Sequence, residues 1–236
     1  MPSTRRIKAV FKKQFLDKGG LRAALFQVMF YPVLLFMFSL SGEKESTVAL
    51  VLSLAPMLIG SSPMLLVYNI VREDKNSGTL RALMLASVKP IEYMIGISAF
   101  LITITTCSSI VIGMIGELGG FSLVQFVISS MMGSTLTVML GCALSLRKNS
   151  KTNAIMLINV ISVINGFIPL LEMFYPSIYK VTKFWYTQQV KNIILSIYSK
   201  DYSEFSFSFA MIFINLIVFI GAFLLIYRKN RIFSQE

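Results

Sequence analysis

Residues 46–71 read STVALVLSLAPMLIGSSPMLLVYNIV, 26 positions without one Lys, Arg, Asp or Glu. A helix crossing the ~30 Å hydrocarbon core of a bilayer uses about 20 apolar residues, so this stretch is long enough to span it. Five further charge-free stretches of 20 residues or more lie at 23–42, 93–116, 118–146, 152–171 and 205–227. The composition of the 236-residue chain agrees, with 55% hydrophobic and 14% charged residues; a soluble domain runs about 45–50% and about 25%. The reading is an all-α integral membrane protein whose six transmembrane helices form one domain over 23–236. No span carries a formal charge, which argues against an intramembrane proton relay or charged ion site.

The same composition excludes several chemistries. Histidine is absent, so there is no His-based triad, His metal site or HExxH zincin. Cys107 and Cys142 both lie in apolar runs, where a thiol acts as a small packing group rather than a disulfide partner. The reading therefore assigns no catalytic, cofactor-binding or metal-binding residue. The net charge of +11 belongs to loops flanking spans and calls for no nucleic acid. On a six-span layout, 17 of the 22 basic residues fall on one side: the N-terminal segment, the loop over 72–89, the connection over 147–151 and the C-terminus. Lys44, Lys180, Lys183, Lys191 and Lys200 occupy the other. The positive-inside rule then places both termini in the cytoplasm of a multi-pass plasma-membrane protein.

Residues 1–22 are strongly basic, and Ile7, Val10, Phe11, Phe15 and Leu16 recur at helical spacing opposite Arg6, Lys8, Lys12 and Lys13. This predicts an amphipathic helix lying on the cytoplasmic membrane surface. A cleaved signal peptide would have an apolar core and a small-residue cleavage site, which are missing here. Residues 172–204 are a long external stretch carrying Phe174, Tyr175, Tyr179, Phe184, Trp185, Tyr186 and Tyr198. Two short re-entrant helices dipping into the outer leaflet fit a loop of this length and aromatic content. Trp185 would then sit at the headgroups, and Lys180, Lys183 and Lys191 would meet anionic headgroups or an anionic cargo, the headgroups being favoured. A folded extracytoplasmic cap is the alternative.

Inside the spans, Ser129, Gly133, Thr137, Gly141 and Ser145 recur every fourth residue. Such spacing lets two helix backbones approach closely, within the chain or at a subunit interface. Ser53, Pro56, Gly60 and Pro63 share one face of the second span, and each proline is expected to bend or break it. Asn159, Ser162, Gly166 and Pro169 repeat that spacing in the fifth, with Asn165 alongside. A polar face of this kind lines a conduit or forms an interhelical seam, since Asn in lipid needs a partner. Asn159, Ser162, Asn165, Ser53 and Tyr68 are the candidate path residues.

The loop and helix start over 71–96 read VREDKNSGTLRALMLASVKPIEYMIG. Ser77-Gly78 can end one helix and start another, and Leu80, Leu83 and Met84 give the next an apolar face. A short amphipathic helix just below the membrane is a handle for a soluble partner. Here the chain resembles the permease subunits of type-2 ABC exporters. The resemblance rests on Arg72-Glu73, then Gly78-Thr79-Leu80, Leu83, and Glu92 with Gly96, and on the six-span layout with its aromatic loop before the last span. The sequence departs from that pattern at Ser87-Val88, where the family often has Pro-Val, at the later Pro90, and at Ile97, where a lysine is usual.

The resemblance implies a bacterial permease that pairs with a second, identical or homologous permease chain. Two separate ATPase subunits would dock on the cytoplasmic loops, and Arg72, Glu73, Gly78, Thr79, Leu80 and Leu83 would carry the coupling. No G-x-x-x-x-G-K-[ST] occurs in the chain, so ATP and Mg would be bound by the partner and this subunit would have no catalytic site of its own. An uncharged path lined by Ser, Asn and Tyr suits an amphipathic drug, peptide or lipid-like cargo better than a small ion. Two other readings remain: a stand-alone membrane immunity or binding protein for a toxic peptide, and the substrate-capture subunit of a vitamin importer.

Overall fold

The computed structural model describes residues 3–40, 44–145 and 151–230. Among these the chain is all α, with no strand. Two helices lie within residues 3–40: α1 (Thr4–Leu16) and α2 (Lys18–Ser39). Then come α3 (Lys44–Asn76), α4 (Thr79–Leu85), α5 (Pro90–Ile115), α6 (Gly120–Ser145) and α7 (Lys151–Phe174). A 3-10 turn at Pro176–Ile178 leads to α8 (Tyr179–Thr182), α9 (Tyr186–Ser199) and α10 (Phe205–Asn230). Six of these helices, α2, α3, α5, α6, α7 and α10, are long and apolar enough to cross a membrane. Arg147, Lys148 and Arg231, counted in the charge asymmetry, lie outside the described residues, as does the end of the expected span 118–146.

The boundary at residue 22 shifts. The Asp17 carboxylate accepts from the backbone N–H groups of Gly19 and Gly20 at 3.2 and 3.3 Å, a helix N-cap. It ends α1 and starts α2 at Lys18, five residues before the expected span.

The long helix α3 lies at the centre and packs against α2, α5, α6, α7 and α9. Of the two outcomes expected at Pro56 and Pro63, a bend or a break, the break does not occur, for α3 runs through both. A proline at position i leaves the carbonyl of i−4 without its helical donor, and neighbouring hydroxyls can take over that role. Pro63 frees the Ile59 carbonyl, and the Thr137 hydroxyl of α6 donates to it at 2.7 Å. In α2, Pro32 frees the Val28 carbonyl, which accepts from Ser108 of α5 at 3.1 Å. The two prolines are therefore fixed points of helix–helix packing.

The small-residue stripe of α6 packs within the chain, against α3 and α9. A methyl group added at Gly141 would stand 3.0 Å from the Met64 Cα, and one at Gly133 would meet Ile59 and Val190 at 2.7 and 2.9 Å. Small residues are what permit this approach.

The segment after α7 departs most from expectation. Trp185 donates its ring N–H to Asn165 Oδ1 at 2.8 Å and packs edge-on to Phe219. Asn165 and Phe219 stand near the middles of α7 and α10, so Trp185 sits at mid-depth of the bundle and not at its edge. The Tyr186 hydroxyl donates to Thr137 Oγ1 at 2.8 Å, since the Thr137 proton is engaged with Ile59. From there α9 runs outward, buried along most of its length, until Tyr198 donates to the Gly116 carbonyl at 2.8 Å. Lys191, expected at headgroups, is buried instead. Its ammonium donates to the Pro169 carbonyl at 2.9 Å and pairs with Glu172. The aromatic and aliphatic residues of α9 recur at helical spacing and carry Lys191 inward with them.

Candidate functional site

Two carboxylates with no lipid-facing role organise the end of the bundle that carries α1 and α4. Asp74 belongs to a charged run, but helical spacing from Val67, Ile70 and Val71 turns it inward, where it is 5% exposed. The Tyr93 hydroxyl donates to Asp74 Oδ2 at 2.7 Å, and Lys13 of α1 pairs with Oδ1. Glu92, fully buried, accepts from the backbone N–H of Ser3 at 2.6 Å and from that of Lys89 at 2.8 Å. Arg6 lies 3.7 Å from its second oxygen. Buried carboxylates persist where hydrogen bonds and cations replace water, and here α1 supplies both.

This corrects the expected disposition of α1. Val10 and Gln14 are buried, and Val10 lies against Gly96 of α5 so closely that an added methyl would come within 2.7 Å. Arg6 and Lys13, assigned to the polar face, reach back to the two acids. Arg5, Lys8 and Lys12 remain exposed. The helix docks on α5 and touches α2, reaches α3 through the Lys13–Asp74 pair, and is not spread on lipid alone.

The residues expected to couple lie beside this junction, at the end of α3 and in α4. Arg72 and Glu73 are exposed and, with Asn69, Asn76 and Ser77, line an open cavity of about 430 Å³. Gly78 links α3 to α4 with φ 73°, a left-handed conformation that suits glycine. The Thr79 and Ser77 hydroxyls are hydrogen-bonded at 2.8 Å. Leu80 and Leu83 are partly buried against the core. Ser87 ends α4 at φ 63°, with its N–H on the Met84 carbonyl and that of Val88 on Leu83. Because Glu92 holds the Lys89 N–H, the chain leaving α4 is tied to the same carboxylate as the start of α1.

The candidate path residues do not converge. Ser162 donates to the Ser61 carbonyl at 3.1 Å and Asn165 is engaged by Trp185, both in the seam between α3 and α7. Asn159 is exposed on the far side of α7. Ser53 bonds to its own helix at Ala49, 2.8 Å away. Tyr68 is half-buried 15 residues further along α3, ~22 Å by helical rise. Sequence reasoning missed Asp74, Lys13, Tyr93 and the Lys191–Glu172 pair. The signal for Asp74 was available, since the buried stripe of α3 continues onto it without a break. Among the described residues no cluster of three or more metal-binding side chains occurs.

Compared with known proteins, the chain matches no family model and no curated sequence. The six apolar helices and their packing define a multi-pass, all-α membrane protein.

Proposed function

We propose that this chain is the permease subunit of an ATP-driven exporter of the type-2 ABC class, paired with a second permease chain and powered by separate ATPase subunits that bind ATP and Mg. On this reading α1, α4 and both termini face the cytoplasm of a bacterial plasma membrane, in keeping with the basic charge gathered on that side. The α8–α9 segment is then re-entrant, descending from the external side to Trp185 and returning along α9. The cargo is an amphipathic drug, peptide or lipid-like molecule.

The observation that carries the reading is the shared anchoring of α1 and the α4–α5 connection on Glu92. A soluble domain pressing on α4 would push on a unit bonded to α5 through Glu92 and to α3 through Asp74, which turns a surface contact into movement of spans. Mild-detergent purification of the tagged full-length chain from its native membrane tests this. The expected companion is a stoichiometric polypeptide with a Walker A motif, and the charge-reversing substitution Glu73→Lys should lower its recovery while insertion is unchanged. Purification of the chain alone, with no ATPase restoring a complex, overturns the reading.

A further inference from the structure

Of the seven basic residues in α1 and α2, two are consumed inside the bundle, Arg6 on Glu92 and Lys13 on Asp74. The other five, Arg5, Lys8, Lys12, Lys18 and Arg22, are exposed and belong to none of the ion pairs among the described residues. One carboxylate stands against them, Asp17 at the N-cap of α2. The helices packed on α1 and α2 add no balancing acid at this end. Glu92 and Asp74 are already paired, and Glu73 shares its turn of α3 with Arg72 and Lys75. The surface therefore carries a large net positive charge. Its geometry is ordered. Arg5, Lys8 and Lys12 recur at i, i+3 and i+7, on the side of α1 opposite the buried Val10 and Gln14. The helix leans inward along α5, for Ser3 is bonded to Glu92 whereas Phe15 meets Phe100 edge-on at 4.9 Å, ~12 Å further along by helical rise. The ridge ends at the exposed Leu16. On α2, Lys18, Arg22, Phe26 and Phe30 follow one another at intervals of four on one face, and Phe26 and Phe30 are 79% and 51% exposed. Two cations thus stand at the head of an apolar stripe that continues along the span.

We propose that this corner of the molecule binds anionic phospholipids of the surrounding leaflet, with headgroup phosphates on Lys12, Lys18 and Arg22 and an acyl chain along Phe26 and Phe30. The two demands of such a lipid are met within a few helical turns. The unbalanced cations attract the headgroup, each Lys or Arg near the surface raising binding about fivefold, and the phenyl stripe receives the chain. A zwitterionic head brings its own ammonium against the same cations and is the poorer ligand. A soluble anion uses the cations but not Phe26 and Phe30. The bound lipid braces α1 against α2 on the face that α5 leaves open. This inference rests on the chain being a membrane protein and not on the exporter reading, so the failure of either leaves the other standing.

The test is the thermal stability of the purified full-length chain in detergent, titrated with phosphatidylglycerol, phosphatidylcholine or inorganic phosphate. Phosphatidylglycerol should stabilise at the lowest concentration, and raised salt should weaken its effect. Lys12→Gln and Arg22→Gln should each raise the concentration for half the effect about fivefold. Ala9→Lys, which adds a cation at an exposed position beside the ridge, should lower it, a gain that a folding defect would not produce. Lys180→Gln, at an exposed lysine on α8, which packs on neither α1 nor α2, is the control and should match wild type. Equal responses from wild type, Arg22→Gln and Ala9→Lys, or equal stabilisation by phosphatidylcholine, would overturn the proposal. Stabilisation by inorganic phosphate at the same concentrations would assign the ridge to a free anion, and no response to either lipid would leave it to a soluble acidic partner; both overturn the lipid assignment.

Discussion

The Ser3 backbone N–H donates to the Glu92 carboxylate at 2.6 Å, so the residue before α1 and the first turn of α5 share one buried acceptor. A side chain removed here loses more than its own bond. Glu92→Ala should free both the start of α1 and the Lys89 N–H, and a cysteine at Val10 should become reactive to aqueous thiol reagents. Full protection of that cysteine in the variant would show that packing at Gly96 alone holds α1.

The Lys13–Asp74 pair predicts a non-additive cycle. Lys13→Met leaves the Asp74 carboxylate with only Tyr93 and should destabilise by about 3 kcal/mol, as when a buried pair loses one partner. The double variant Lys13→Met/Asp74→Asn removes both charges and should recover most of that loss. Melting temperatures of the four proteins in one detergent decide it; additive losses would mean the charges do not interact.

Thr137→Val removes the donor to the Ile59 carbonyl and the acceptor for Tyr186 at nearly constant volume. We expect a loss of about 1 kcal/mol, typical of hydrogen bonds between membrane helices, and near-complete retention in Thr137→Ser. Equal melting of wild type and Thr137→Val would indicate that another group caps Ile59.

Gly141→Val should separate α6 from α3, because its nearest neighbour is the Met64 backbone, which cannot rotate away. Gly119→Val adds a side chain to open space and should be tolerated. Yield of monodisperse protein distinguishes them.

Trp185 is the only tryptophan, so its fluorescence reports one site. A ring at mid-depth, bonded to Asn165, should emit at short wavelength and resist quenching by iodide. Strong quenching would return it to the membrane edge.

The six spans were legible because charge-free runs of this length have a single physical use, and the helices fall within a few residues of them. The stripe through Gly133 and Gly141 was legible as a packing face, though its partner was not. What stayed hidden depends on three-dimensional neighbours. Nothing local to Arg6 or Lys13 shows that a carboxylate waits across the junction, and interfacial preference pulled Trp185 and Lys191 toward the surface in the sequence reading. Pro63 looked like a break because the residue that repairs it, Thr137, lies 74 positions away. For the proposed coupling surface, the residues around Gly78 stand out by pattern, whereas Asp74 on the same stretch of α3 needed the helical phase of the whole helix.

Two of the carbonyls freed by helical prolines impose an order on how this chain is built during synthesis. Val28 waits for Ser108, and Ile59 waits for Thr137. A nascent chain that has delivered only its first two spans therefore carries both acceptors open, together with the Leu52 carbonyl freed by Pro56, into a medium without water, where each is costly. The early helices should linger beside the insertion machinery, or hold a solvent defect, until the third and fourth spans emerge. A ribosome-stalled fragment ending before residue 108 should crosslink to the insertion channel far longer than one ending after residue 145.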